Sequence, residues 1–400
     1  MKMFHGFNLS NIRGDFFGGL TAAIVALPLA LAFGVASGLG PLPGLYGAII
    51  VGFFAALFGG TFFQISGPTG PMTVVVASIY IYFNKNLDIV FLIISLSGLI
   101  QILIGISKIG EHVKKIPKSV VTGFMSGIGV IIICLQIPII FGLKPEGSAI
   151  LSLLNLQYIM NFNIDSLLIG IVGLIIVILF PVRIDAYIPR PIIALVLGTI
   201  LSSLYFFNQP LIGEIPSGIP NFSIYVPSLD ELPIILYFSI VLALLGVIDS
   251  LLTSIVADNM TNTQHLPNRE SVGQGIGNII SGLFGGLAGA GATMRTVVNI
   301  KSGGKTPLSG LIHSIVLIMI LVFFGNYAAM IPLSILAAIL LKVGYDIIDW
   351  NFFSSSKKKS IEDKLIVFTV ILLIVFSNLI VAIFIGILMF YISQKFLQQQ

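Results

Sequence analysis

Charge and cysteine are both scarce in this chain. Only 9% of its 400 residues are Asp, Glu, Lys or Arg, while 56% are hydrophobic and the mean hydropathy is +1.08. So little charge cannot clothe a water-soluble surface, which excludes a soluble globular fold. The net charge of +4 does not point to nucleic acid, because the basic residues lie in the breaks between apolar runs. Cys134 is the single cysteine, so an intramolecular disulfide and a thiolate metal cluster are both excluded. His5, His112 and His265 fall in polar breaks, His313 stands alone near the end of an apolar run, and no two of them have metal-ligand spacing. A nucleotide-binding loop, a nucleophile motif and a paired acid and base are also missing. The chain therefore does not read as an enzyme, and no tightly bound cofactor is expected. The short polar leader lacks the small-residue cleavage pattern of a signal peptide, so the apolar run behind it is kept as a permanent span.

What the chain has is apolar runs from end to end. They predict an all-α polytopic membrane protein of about 14 segments. In the first half these are 16–37, 42–60, the short 69–81, 88–107, 119–141, 165–182 and 190–207. In the second they are 233–257, 273–289, the short 292–300, 307–325, 331–344, 364–380 and 382–397. Threading from a cytoplasmic N-terminus puts 17 of the 20 basic residues inside, including Lys108, Lys114, Lys115, Lys118, Arg183, Arg190 and Arg269. Lys85 and Lys144 fall outside, and Arg295 lies within a span. That bias supports the segment count and places both termini on the cytoplasmic side. The basic run at Lys357, Lys358 and Lys359 is an inside loop suited to touching anionic lipid. Seven spans per half is odd, so the halves, 1–208 and 209–400, are expected to be inverted repeats. Lysine outnumbers arginine 15 to 5, as in an AT-rich genome such as an organelle's.

Two glycine-rich runs, 52–60 (GFFAALFGG) and 282–290 (GLFGGLAGA), lead into the short motifs 67–69 (GPT) and 291–293 (GAT). With Gly52 placed on Gly282, residues Gly67, Thr69 and Val74 match Gly291, Thr293 and Val298. Small residues are common in packed membrane helices, so chance similarity stays open. The segments opened by these motifs are too short to span a bilayer, and paired interrupted segments mark a transporter's binding site. Two half-helix N-termini facing one another make an anion site without a full charge. Thr69 and Thr293 add hydroxyls, and Pro68 and Pro71 suit a helix start.

Asp249 lies mid-span with Thr253 on the same face, a pair of hard oxygen ligands for Na⁺; Asp249 can alternatively carry a proton. A carboxylate at that depth costs about 2.5–3.5 kcal/mol and requires a partner. Asp258 reads as a solvated helix end. Arg295 either faces the cavity, balancing an anion or Asp249, or snorkels toward the cytoplasm. The candidate anion site is Thr69, Gly70, Ala292, Thr293 and Arg295.

On blocks 14–38, 67–75, 249–258, 273–304 and 342–350 the chain resembles the SulP family of anion transporters, particularly its bicarbonate-transporting branch. The resemblance implies two intertwined seven-helix inverted repeats. They would form a mobile core domain, about 14–108 with 233–326, and a gate domain, about 118–208 with 330–398. It implies an elevator movement of core against gate. It also implies a sodium site at Asp249, Thr253, Gly291, Ala292 and Thr293, with Thr69, Ala292 and Thr293 on bicarbonate. The function expected is Na⁺-coupled bicarbonate uptake across a bacterial or cyanobacterial plasma membrane or a plastid inner membrane. Transport of sulfate or another inorganic anion, coupled to protons or by exchange, and a passive anion channel are the alternatives. Two departures stand out. The chain stops at Gln400 without the STAS domain common in the family, so any homodimer is expected to form through membrane helices. Arg295 replaces the small residue that the bicarbonate branch implies, which weakens the case for sodium.

Overall fold

The computed structural model describes residues 6, 8–108, 117–143, 162–181, 189–206, 208–213, 225–355, 359–376 and 379–397. His5, His112, Lys114, Lys115, Lys144, Arg183, Lys357, Lys358 and the break between the last two segments at Ser377 and Asn378 lie outside them.

In chain order the first half forms α1 (Ile12–Ala36), α2 (Pro41–Phe58), β1 (Ser66–Gly67), α3 (Gly70–Tyr82), α4 (Leu87–Ile106), α5 (Lys118–Ile140), α6 (Ile164–Leu179) and α7 (Arg190–Tyr205). The second forms α8 (Leu232–Thr261), α9 (Pro267–Leu283), β2 (Ala290–Gly291), α10 (Thr293–Lys301), α11 (Leu308–Ala328), α12 (Leu333–Ile347), α13 (Trp350–Ser354), α14 (Ile361–Phe376) and α15 (Leu379–Leu397). All fourteen expected segments have a helix. The fifteenth, α13, is a single polar-capped turn that the hydropathy pattern does not announce. The Asp349 carboxylate accepts from Phe352 N at 3.0 Å and from the Thr122 hydroxyl of α5 at 3.0 Å, tying this turn to a spanning helix.

Two boundaries differ from expectation for physical reasons. Helix α8 continues beyond 257 to Thr261 and stops at Asn262, which adopts a left-handed conformation (φ 54°). Asp258 is therefore not a free solvated end. Its carboxylate accepts from the Thr263 hydroxyl at 3.1 Å and His265 N at 3.1 Å, and bonds His265 Nδ1 at 2.6 Å, closing the turn after α8. Helix α9 starts at Pro267 and ends at Leu283, so 284–289, expected as the end of a span, is irregular backbone.

Glycines set the closest helix contacts, as expected where lipid offers no hydrophobic drive for helices to associate. Helix α9 lies against α4 with Gly98 and Gly275 back to back, so a Cβ on either would run into the other's carbonyl oxygen. Helix α9 also packs on α2, and α1 packs on α11. A second set of contacts joins α5 to α12 and α14, with Gly123 against Val370 and Gly129 against Gly344. The first set of helices meets the second where α3 lies on α5 and α1 on α12 and α7.

Candidate binding site at the crossed half-helices

The two short strands pair antiparallel, Ser66 with Gly291 and Gly67 with Ala290. Each leads directly into a half-helix. Thr69 caps α3 in extended conformation and Ala292 caps α10 likewise, so both helix N-termini start at the strand crossing. Helix α3 has 13 residues and rises about 20 Å, and α10 with 9 residues rises about 14 Å, both well short of a bilayer's hydrocarbon. The GPT and GAT motifs thus come together as the sequence suggests.

Irregular backbone at this depth survives only if the protein supplies its hydrogen bonds. Helix α9 supplies most of them from one polar face. Glu270, Gln274, Asn278 and Ser281 recur at helical spacing, and each is at most 1% exposed. Asn278 Nδ2 donates to the Gly289 carbonyl at 2.9 Å, and its Oδ1 accepts from Gly289 N at 2.8 Å. The Ser281 hydroxyl donates to the Leu287 carbonyl at 3.0 Å. The Glu270 carboxylate accepts from Gly60 N at 2.8 Å, Gln64 Nε2 at 2.7 Å and Gln274 Nε2 at 2.8 Å. Gln274 Nε2 also donates to the Ser66 hydroxyl at 2.6 Å. None of these residues was singled out in the sequence, although the four-residue recurrence of amides and a carboxylate within a membrane segment was legible there.

The second clamp belongs to α10. Asn299 Nδ2 donates to the Phe63 carbonyl at 2.8 Å, and the Thr296 hydroxyl accepts from Ile65 N at 3.1 Å. Arg295 is 2% exposed, and its Nη2 donates to the Pro68 carbonyl at 2.6 Å. Of the two directions open to Arg295, the structure adopts the inward one. It does not snorkel.

Around this crossing stand the expected ligands. Thr253 is fully buried; its hydroxyl donates to the Gly291 carbonyl at 3.0 Å and lies 2.8 Å from the Thr293 hydroxyl. Ser250, one turn earlier, accepts from Gly291 N at 3.0 Å. Asp249 is 7% exposed, with the Thr69 hydroxyl and the Arg295 guanidinium near its carboxylate but neither hydrogen-bonded to its Oδ2. Three buried polar atoms there have no hydrogen-bond partner in the protein: Thr69 Oγ1, Asp249 Oδ2 and Arg295 Nη1. Buried polar atoms are seldom left so, and a cluster of acceptor, donor and hydroxyl suits a small anion beside a hard cation. No group of three or more His, Cys, Asp or Glu side chains able to hold a metal occurs among the described residues.

The two half-helices differ in burial. Thr293 and Met294 at the start of α10 are exposed, whereas 69–76 of α3 are buried. The N-terminal residue of α3, Gly70, is covered by apolar side chains: a Cβ there would meet Ile132 of α5 at 2.8 Å and Ile347 of α12 at 3.1 Å. His313, expected as an isolated residue near a span end, is wholly buried inside α11, with its ring beside Gly52.

The chain shares its sequence pattern and its fold with known proteins. The sulfate permease family pattern matches residues 12–370. The chain is 46% identical over 405 residues to the bicarbonate transporter BicA of Picosynechococcus sp., covering 97% of this chain and 71% of that protein. It is 33% identical over 399 residues to a putative sulfate transporter of Bacillus subtilis, covering 97% and 74%. The solved transmembrane domain of a cyanobacterial bicarbonate transporter superposes with a TM-score of 0.90 at 45% identity, covering 96% of this chain and all of that one. The chain therefore belongs to the sulfate permease family: it is an integral membrane anion transporter with the family's inverted-repeat helical fold, and not an enzyme.

Proposed function

We propose that the protein takes up bicarbonate coupled to Na⁺, with both ligands held at the crossing of α3 and α10. The observation that carries this reading is the meeting of Thr69 Oγ1, Asp249 Oδ2 and Arg295 Nη1, all buried and unpartnered, at two helix N-termini. Oxygen donors for the cation are the Asp249 carboxylate, the Thr253 hydroxyl and the Gly291 carbonyl, with Ala292 and Thr293 completing the backbone around it. The anion lies against the N-termini at Thr69, Gly70, Ala292 and Thr293. Asp249 and Arg295 already balance one another, so a cation and a monovalent anion entering together leave the site neutral. Entering alone, either would leave an uncompensated charge in a low-dielectric interior. That is a physical basis for coupling. Relatives named as bicarbonate transporters at 46% identity support the choice of anion.

Transport then proceeds as an elevator movement of a core domain (14–108 with 233–326) against a gate domain (118–208 with 330–398). In this reading the exposure of Thr293, beside a buried α3 N-terminus, belongs to the inward-open end of that movement. Both termini lie on the cytoplasmic side, and a homodimer, where one forms, uses membrane helices.

A second reading, sulfate or another oxyanion with proton coupling through Asp249, is favoured by Arg295 Nη1, a buried donor free for a more highly charged ligand. Uptake of labelled bicarbonate and labelled sulfate into proteoliposomes, with and without an inward Na⁺ gradient, separates the two. Sodium-driven bicarbonate accumulation supports the first, and sodium-indifferent sulfate uptake overturns it. Leakage of either anion without uphill accumulation identifies a passive channel.

A further inference from the structure

Between α1, α3, α5 and α12 lies a small cavity of about 10 Å³, room for one water-sized group. Gly70, Thr73 and Val74 of α3 form one wall, beside the proposed anion site. Phe33, Ile132, Leu135 and Leu340 make the rest apolar, with one exception. Gln136 of α5 is 3% exposed and lines this cavity. The Thr73 hydroxyl already donates to the Thr69 carbonyl at 2.8 Å, so it offers no free proton there.

A primary amide set in an otherwise apolar wall costs about 1–3 kcal/mol unless something bonds it. A leucine at 136 would avoid that cost. The position of Gln136 along α5 suggests what it serves. Ile132, the residue that covers Gly70, lies four residues earlier on the same helix face. Four residues are about 6 Å of helix. A displacement of α3 along α5 by about one turn, toward the C-terminal end of α5, would carry the α3 N-terminus from Ile132 to Gln136.

We propose that Gln136 is a specificity-determining residue of the gate. In the alternate state, the one open toward the C-terminal ends of α1 and α5, its amide N–H donates to an oxygen of the bound anion. In the present state Ile132 seals the same spot. This rests on the elevator reading above and adds to it a polar contact from the stationary helix, made in one state only. An oxyanion gains a donor there that a halide of similar charge uses less well, because a planar or tetrahedral oxyanion can reach the amide with one oxygen while the others stay on the half-helices.

The test is transport kinetics of Gln136→Leu and Gln136→Asn in proteoliposomes and in intact cells, beside wild type, with the transporter's amount in the membrane quantified. Zero-trans uptake and efflux are both measured, with bicarbonate and sulfate as probes. The expected result for Gln136→Leu is a KM raised roughly tenfold, the loss of one hydrogen bond to a charged group, for transport from the side reached by the C-terminal end of α5. KM from the other side and sodium half-activation stay unchanged, and Gln136→Asn, shorter by one methylene, recovers part of the loss. A Gln136→Leu protein with wild-type KM on both sides overturns the proposal, as does an equal change on both sides. If Gln136→Leu does not reach the membrane, Gln136→Met takes its place under the same two criteria. Wild type that carries neither anion overturns the proposed function itself and is distinguished by that control.

Discussion

Arg295, in the second half of the chain, donates its Nη2 proton to the carbonyl of Pro68 in the first half, at 2.6 Å. The bond crosses the strand pair and fixes the residue immediately before the α3 cap. One side chain therefore does two things: it holds the backbone of the opposite half-helix, and it supplies the buried positive charge that acts on Asp249.

Removing that side chain separates the two roles. Arg295→Met strands the Pro68 carbonyl and leaves Asp249 as an uncompensated buried charge, which costs about 3–5 kcal/mol. Transport is expected to vanish and the melting temperature in detergent to fall by several degrees. Arg295→Lys keeps the charge but not the fork, so stability should recover more than transport. Wild-type melting and uptake in Arg295→Met would place the guanidinium outside the site.

Asp249→Asn keeps size and removes charge. It also leaves the buried Arg295 guanidinium without its balancing carboxylate, so the melting temperature in detergent should fall, as for Arg295→Met. Sodium stimulation of uptake is expected to disappear or to require more than tenfold higher sodium, at least about 1.4 kcal/mol in ion affinity. Uptake measured across a sodium series checks this, and an unchanged half-activation excludes the coupling role.

Glu270 carries no ligand in this reading, yet its loss should be severe. Glu270→Leu removes the acceptor of three buried N–H donors, from Gly60, Gln64 and Gln274, at about 1–3 kcal/mol for each donor left unsatisfied. Glu270→Gln keeps one acceptor and should be milder. Thermal unfolding in detergent ranks wild type above Glu270→Gln above Glu270→Leu, and equal melting for all three would show that the network is not under load.

At the α4–α9 contact, Gly98→Leu drives a side chain into the Gly275 carbonyl. Helices this close cannot make room without separating, so the substitution should cost more than the usual 1–3 kcal/mol of overpacking. Loss of monodisperse protein on size-exclusion chromatography is the expected readout. A folded Gly98→Leu protein would mean that the contact yields.

These residues also show where reading the sequence succeeds and where it stops. The GPT and GAT motifs were legible because glycine, proline and a short apolar run together allow few structures in a membrane. The end of α9 was misplaced because 284–290 is as apolar as a helix would be. Only Asn278 and Ser281, which hold that backbone, mark it as irregular, and their bonds to Gly289 and Leu287 reach forward past the helix end in no helical pattern. The direction of Arg295 is a matter of helical phase. Two residues turn about 200° around a helix, so Arg295 and Thr293 face opposite ways, and α10 buries the former while exposing the latter. Asp258 reads as solvated in the sequence because its partner His265 lies beyond a left-handed turn that hydropathy does not reveal. The pairing of Ser66 with Gly291 joins residues 225 positions apart, and only the fold brings them together.

The two-residue ladder has a thermodynamic consequence. Strands from opposite halves share their hydrogen bonds there, and the Gly291 carbonyl and the Ala292 cap sit between the two proposed ligand positions. Whatever binds on the Asp249 side and shifts that backbone changes the affinity for a ligand on the Thr69 side. Linkage requires the reverse effect to be of equal size. Sodium's effect on anion affinity and the anion's effect on sodium affinity are then one quantity measured twice. A single coupling free energy, stored in four paired residues, would set how faithfully one gradient drives the other.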